Sequence, residues 1–332
     1  TIVHKGTPAY TLDLLLEDPR VTKYNPLTFY NLSDPFLKKN VPDLLQLLEG
    51  LEKNGHENIA VLITKLNPSH TAPEENVLER IAQFGNSKQV ILVSYAIFTK
   101  NVEPVSKSKR LELMAEAKEK KIPILQYARP LWEGWTPKNK VQEMVQEVAR
   151  IVDGVILGGV LTTKEIKKTI EDKNAPVPDW DNAKGRFLDH SYEQFVLHEY
   201  QRVNPSLPVF LNSSCAISFA AKVPHYQGYY GLFSNFSNNS ERRCQRPCAP
   251  IQRERCAKAE PYIKNDHEGY WKVVEWLKRF GAEKAMFQIE KGYIDVFAHL
   301  TRQEGIWIRQ HTGMYIYFGA KFGIFHHHPR VK

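Results

Sequence analysis

The sequence predicts an α/β protein, and a (β/α)8 barrel-like architecture is the first choice within that class. Apolar runs of strand length alternate with amphipathic runs of helix length along the 332 residues. The strand runs are apolar throughout, which is typical of a parallel sheet covered on both faces. Eight such runs occur, as a closed barrel requires, with predicted starts at Leu27, Asn58, Lys88, Ile122, Val152, Pro208, Tyr229 and Ala285.

The helices of the first half carry their own start and stop signals. Val41-Pro42-Asp43 opens a helix with proline in its first turn, and Gly55 stands where a C-terminal glycine belongs. The segment Ser106–Lys121 is predicted to be a helix, because it begins with a serine cap and ends in lysines, which interact favourably with the helix dipole. Pro73–Phe84, Pro137–Ile151 and Thr162–Ile170 are further predicted helices between strands.

The second half is less regular. A polar, proline-rich link at Asp172–Gly185 precedes a helix at about Ser191–Val203, and Asp189 is the expected N-cap of that helix. Asp266–Phe280 predicts a helix ending at Gly281, and Ile306–Arg309 and Met314–Phe318 predict β structure. We predict a single barrel-like domain over residues 1–332 with an insertion at 234–260. The alternative is an open doubly wound sheet with a small second domain after about residue 180.

The composition is that of a globular protein, with 42% hydrophobic and 25% charged residues. No stretch of about 18 apolar residues occurs, so no transmembrane helix is predicted. The net charge is +8, and its densest part lies in the arginines of Arg242–Arg255 within the insertion. This patch favours an anionic or polar partner, whereas no nucleic-acid reader motif accompanies it, so nucleic acid is not expected.

Two features indicate an exported chain. Four Asn-x-Ser sequons are candidate glycosylation sites, at Asn31, Asn212, Asn235 and Asn238. An even number of cysteines favours disulfides, formed by Cys215, Cys244, Cys248 and Cys256 with the connectivity left open. We therefore expect a secreted or extracellular glycoprotein.

Ligands of barrel proteins meet residues at the carboxyl ends of the strands, so the candidate site is sought there. Past the fourth strand comes the run Arg129-Pro-Leu-Trp132-Glu133-Gly-Trp135, in which two tryptophans flank a glutamate. Flat aromatic faces stack on sugar rings, which predicts a carbohydrate platform. Glu133 and Glu290 are the candidate catalytic acid and base, because glycoside hydrolysis usually needs two carboxyl groups. The expected substrate-binding residues are Tyr95, Tyr127, Arg129, Trp132, Trp135, Asn212 and Gln288.

The fifth strand allows another interpretation. The run Asp153-Gly-Val-Ile-Leu-Gly158-Gly159-Val-Leu-Thr162-Thr-Lys-Glu165 resembles the phosphate-binding strand and short helix of triosephosphate-isomerase-type barrels. The resemblance covers fewer than twenty residues, and that family's catalytic residues have no counterparts here. It implies anion binding at Gly158 and Gly159, since glycines admit close approach and a helix N-terminus offers free N–H groups.

The leading hypothesis is an exported, glycoside-hydrolase-like barrel. The alternatives are a non-catalytic lectin-like, storage or surface-interaction protein, and an enzyme acting on a phosphate ester. No cofactor or metal is implied, because the cysteine spacing of Cys244, Cys248 and Cys256 does not match a zinc or iron–sulfur site. No P-loop, dinucleotide fingerprint or serine-hydrolase elbow occurs.

Overall fold

The structure is a computed structural model that describes residues 6–18, 21, 25–86, 88–98, 105–172, 185–225, 248–259, 266–290, 293–297, 300–312 and 315–318. The chain divides into two compact units. Residues 1–222 and 246–249 form the first, and residues 223–245 and 250–332 form the second. The predicted insertion at 234–260 is described only from residue 248, and the prediction of one barrel-like domain stays a prediction.

The first unit alternates helices and strands, as the sequence predicts. Its strands are β1 (Leu27–Phe29), β2 (Ile59–Thr64), β3 (Lys88–Ser94), β4 (Ile124–Leu131), β5 (Gly154–Thr162), β6 (Gly185–Phe187) and β7 (Val209–Phe210). Its helices are α1 (Pro8–Glu17), α2 (Val41–Lys53), α3 (Pro68–Thr71), α4 (Val77–Ala82), α5 (Lys107–Glu119), α6 (Lys138–Val148), α7 (Lys164–Asp172), α8 (His190–Val203) and α9 (Ser213–Ala220). A 3₁₀ turn at Pro73–Glu75 precedes α4.

Six parallel strands form the sheet of this unit, in the order β1-β2-β3-β4-β5-β7. β6 adds to β5 in the antiparallel direction, with Val160 opposite Phe187. The α/β class with a parallel sheet is therefore confirmed. The sheet is not closed within the described residues. The predicted strand at Tyr229–Phe233 lies outside them, and the predicted strand at Ala285–Ile289 belongs to the second unit.

The two faces of the sheet are covered differently. Ala60, Leu62, Ile91, Val93 and Leu157 belong to one buried cluster that also contains the apolar residues of α2, α4, α5, α6 and α8. Because successive side chains of a strand alternate between faces, these five helices all pack on one face of the sheet. Connecting helices that all lie on a single face are the winding of a barrel rather than of a doubly wound sheet. We call the opposite face the inner face.

Several local predictions are confirmed by backbone geometry. Gly55 and Gly281 follow their helices with φ of +68°, a left-handed conformation that glycine adopts without a steric penalty. Asp189 caps α8, since its Oδ1 accepts a hydrogen bond from the Tyr192 N–H at 3.0 Å. Conversely, β5 continues to Thr162 rather than ending at Leu157.

The second unit contains α10 (Pro250–Ala257), α11 (Asp266–Arg279), β8 (Met286–Glu290), β9 (Tyr293–Phe297), α12 (Arg302–Thr312) and β10 (Tyr315–Phe318). β8 pairs with β9 in the antiparallel direction, and β10 pairs with β9 in parallel. Its core joins α11, β9 and α12 through Val273, Trp276, Leu277, Val296 and Ile308.

The prediction of β structure at Ile306–Arg309 is wrong, because this segment lies inside α12. Thr301 and Glu304 form a reciprocal capping box at the start of that helix. The Glu304 N–H donates to Thr301 Oγ1 at 3.2 Å, and the Thr301 N–H donates to Glu304 Oε2 at 2.6 Å. The Thr-x-x-Glu signal was present in the sequence and outweighs the β propensity of the isoleucines and tryptophan that follow.

Candidate functional site

The inner face of the first unit carries polar side chains where its central strands end. On β4, Leu125 and Tyr127 alternate with Gln126 and Ala128, and Ala128 belongs to the helix-covered face. The same alternation places Ser94 beside Tyr127, since the two are register partners on β3 and β4. Tyr127 and Arg129 therefore lie on the inner face near the carboxyl edge of the sheet.

Helix α9 covers part of the inner face, away from its carboxyl edge. The ring of Phe210 on β7 lies 5.5 Å from the ring of Phe219 on α9, measured between centroids. Phe210 is the register partner of Ile156, which places both on the inner face. The inner face is thus apolar where α9 packs on it and polar at its carboxyl edge.

Arg129 is held between β4 and β5. Its Nη1 donates a hydrogen bond to the Tyr127 hydroxyl, and its Cζ lies 5.4 Å from the centroid of the Tyr127 ring. Its aliphatic stem crosses Gly158 of β5, where an added Cβ would lie 2.8 Å from Arg129 Cδ and 3.1 Å from Cγ. Gly158 therefore provides the space through which the arginine side chain reaches Tyr127.

The remaining donors of Arg129 have no partner among the residues that the structure describes. Among the described residues, this side chain makes a hydrogen bond and a ring contact with Tyr127, and no carboxylate pairs with it. Arg129 is partly exposed, and neither Nε nor Nη2 is among the fully buried polar atoms. The guanidinium charge is therefore available to a ligand.

Tyr95 lies on the opposite face from this site. It is fully buried in the helix-covered core, and its hydroxyl donates to Glu147 Oε2 of α6 at 2.5 Å. Burial, followed by the adjacent Glu147 carboxylate, raises the pKa of Tyr95. Lys107 of α5 binds the other Glu147 oxygen at 2.5 Å. Tyr95 thus joins the end of β3 to α6 on the helix-covered face.

The tryptophan loop after β4 forms a compact cluster. Trp132 and Trp135 meet edge to face with centroids 5.5 Å apart, and Trp135 is 4% exposed. The Tyr192 hydroxyl of α8 donates to the Thr136 carbonyl, and burial, followed by Glu133, raises the Tyr192 pKa. The hydrogen bond from Tyr192 to Thr136 therefore anchors α8 to the tryptophan loop, in which Trp135 is buried.

The two candidate carboxylates lie in different units. The Glu133 side chain is 52% exposed and lies 3.7 Å from Lys138 Nζ on the loop that precedes α6. Glu290 ends β8 of the second unit and is the register partner of Tyr293. Gln288 belongs to the same strand. Glu133 follows the carboxyl end of β4, whereas Glu290 ends a strand of a different sheet, so their positions at strand ends do not place them at one barrel mouth.

No protein-family model matches the sequence, and no curated protein matches it. Among solved structures, the fold is similar to spore photoproduct lyase with bound AdoMet and dinucleoside spore photoproduct, at 15% identity and a TM-score of 0.43. That match covers 61% of this chain and 64% of the lyase. It is also similar to Streptococcus suis SuiB bound to S-adenosylmethionine, at 10% identity and a TM-score of 0.42, over 69% of this chain and 49% of SuiB.

At these values the similarity concerns the α/β fold alone, and this chain spans less than two thirds of either protein. These structures are not glycoside hydrolases or lectins. The predicted hydrolase and its lectin-like, storage or surface-interaction alternative are corrected, together with the carbohydrate ligand, because Glu133 follows a strand of the first unit and Glu290 ends a strand of the second.

The phosphate-ester alternative is corrected as well. Gly158 and Gly159 lie inside β5, and Gly159 is the register partner of Leu131 on β4. Helix α7 begins at Lys164, after the strand has continued to Thr162. The two glycines therefore do not form a turn at a helix N-terminus, which was the geometry that the resemblance implied.

The predicted disulfide framework is wrong where the structure describes it. No disulfide links Cys215, Cys248 and Cys256 to one another, and Cys256 carries a buried thiol; Cys244 lies outside the described residues. The Cys256 sulfur accepts hydrogen bonds from the His225 N–H at 3.3 Å and from Gln252 Nε2 at 3.5 Å. Burial raises the pKa of this thiol. The predicted secreted glycoprotein loses its disulfide argument and rests on the sequons alone.

Of the sequons, Asn31 and Asn212 are exposed, in the loop after β1 and at the start of α9, whereas Asn235 and Asn238 lie outside the described residues. In the described part of the chain, no group of three or more His, Cys, Asp or Glu residues could hold a metal ion. Among the same residues no helix is long and apolar enough to cross a membrane.

The structure thus brings together two of the predicted substrate-binding residues, Tyr127 and Arg129, and adds Gly158 from the predicted anion site. Sequence reasoning did not find this grouping because it treated Gly158 as a turn. The i, i+2 spacing of Tyr127 and Arg129 on a strand was the signal that could have placed both on one face.

Proposed function

We propose that the first unit binds a small anionic ligand on its inner face, at the carboxyl ends of β3, β4 and β5, with Arg129 as the anchor. The observation that carries this proposal is the partly exposed Arg129 guanidinium, which has no carboxylate partner among the described residues. A charge held against a packed apolar surface is poorly hydrated, so pairing with an anion is favoured there.

Two further observations support the proposal. Ligands of parallel α/β sheets bind beyond the carboxyl ends of the strands, where Arg129 lies. The contact with Gly158 and the bond to Tyr127 fix the arginine before any ligand arrives, so little side-chain entropy is lost on binding. The net charge of +8 also raises the local concentration of anions around the protein.

The test measures the melting temperature of the purified protein as acetate, methanesulfonate or sulfate is added at constant ionic strength. A ligand that binds only the native state raises the melting temperature with its concentration. We expect at least one of these anions to stabilise the wild type and not the Arg129→Ala variant. Arg150→Ala is the matched control, because it removes the same charge from an exposed position at the end of α6.

The Arg150→Ala variant should respond as the wild type does. An equal rise in melting temperature in all three proteins would show that the anions act through general charge effects, and the absence of any rise in the wild type would also refute the proposal.

A further inference from the structure

The orientation of the Arg129 guanidinium restricts which of its edges can meet a ligand. Its stem is confined over Gly158, with Cδ 2.8 Å from the position of an added Cβ. Its Nη1, the nitrogen on the same side as Cδ, is bound to the Tyr127 hydroxyl. The side edge that carries Nε–H and one N–H of Nη2, which point in the same direction, keeps both of its donors.

We infer that this edge binds a carboxylate group of the ligand through two parallel hydrogen bonds, an inference that rests on the proposed anion site. Two parallel N–H donors match the spacing of two carboxylate oxygens, and such bidentate pairs are stronger and more directional than contacts to a point charge. A planar carboxylate can satisfy both donors in the plane of the guanidinium.

The charge of the site leads to the same ligand class. At the inner-face edge of β3, β4 and β5, Arg129 supplies one positive charge. The other residues considered at this edge are uncharged, namely Ser94, Tyr127, Gly158 and Val160. A carboxylate is a monoanion and leaves the pair neutral. A dianion such as sulfate would leave one negative charge uncompensated beside the apolar sheet, which is costly. A tetrahedral anion also carries an oxygen outside the guanidinium plane, which two in-plane donors cannot satisfy.

Three anions separate shape from charge in the test. Acetate is a planar monoanion, methanesulfonate a tetrahedral monoanion and sulfate a tetrahedral dianion. We expect acetate to stabilise the wild type at concentrations about tenfold lower than either tetrahedral anion. In Arg129→Lys, which keeps the charge and removes the two-donor edge, acetate affinity should fall about tenfold and become equal to that of methanesulfonate.

The outcomes distinguish this inference from the proposal beneath it. Binding of methanesulfonate or sulfate that depends on Arg129 and is as tight as that of acetate would overturn the carboxylate assignment and leave the anion site standing. Full retention of acetate binding in Arg129→Lys would overturn it in the same way. If none of the anions raises the melting temperature of the wild type, the anion site itself is refuted.

Discussion

The hydrogen bond between Tyr200 and Gln126 offers a direct test of how the first unit is held together. Tyr200 of α8 donates its hydroxyl to Gln126 Oε1 at 2.6 Å, and Gln126 Nε2 donates to the Tyr95 carbonyl at 3.0 Å. Both side chains are fully buried. This chain of two bonds links α8 to β4 and to the residue that follows β3, through the apolar core.

Replacing Tyr200 by phenylalanine keeps the ring and removes the hydroxyl. Gln126 Oε1 then stays buried without a donor, and leaving a buried acceptor unsatisfied costs about 1–3 kcal/mol. We expect the free energy of unfolding to fall by that amount, measured by urea denaturation followed by far-ultraviolet circular dichroism. The exposed Tyr270 provides the control, and Tyr270→Phe should change stability by less than about 0.5 kcal/mol.

A double-mutant cycle with Gln126→Leu shows whether the bond itself is responsible. The double variant should be more stable than the sum of the two single losses predicts, by about 1 kcal/mol or more, because removing both partners leaves no orphaned group between them. A loss below about 0.5 kcal/mol in Tyr200→Phe, or strict additivity in the cycle, would refute the reasoning.

Three other predictions concern separate positions. Gly158→Ala should weaken acetate binding without unfolding the protein, because the added Cβ would lie 2.8 Å from Arg129 Cδ and displace the arginine stem. Unchanged affinity in the melting assay would show that the position of the stem is unimportant. Burial lowers the pKa of His225 to about 4, so below pH 6.5 the unfolded state binds a proton that the native state does not, and stability should fall by about 3 kcal/mol between pH 6.5 and pH 4. Urea denaturation at several pH values should lose that part of the slope in His225→Gln and keep it in the exposed control His198→Gln. Cys256, whose thiol is buried and has a raised pKa, should resist iodoacetamide at pH 7.5 in the native state and react after denaturation without any reductant, as detected by mass spectrometry of its peptide; fast native labelling would contradict its burial.

The functional correction has a simple physical origin. Glu133 and Glu290 are similar in sequence context, since each follows an apolar strand-like run. Only the pairing of strands shows that β8 joins β9 and β10 in a separate sheet. Similarly, Tyr95 and Tyr127 both stand at strand ends, yet the alternation of side chains directs Tyr95 into the helical layer and Tyr127 to the inner face.

Local elements were determined by the sequence itself. Helix α2 with Gly55, α8 with its Asp189 cap and the apolar β2 and β3 follow from periodicity and capping, which depend on residues within one or two turns of each other. The capping box of Thr301 and Glu304 was equally readable. These signals fix the α/β class and most of the elements of the first unit.

Tertiary structure decided which elements share a sheet, where the sheet remains open, and which side chains meet at its edge. The contact of Arg129 with Gly158 depends on the register between β4 and β5, and that register is set by packing across the sheet rather than by either strand alone. The sequence supplied an arginine, a tyrosine and a glycine separated by up to 31 positions, and long-range pairing alone placed them in one site.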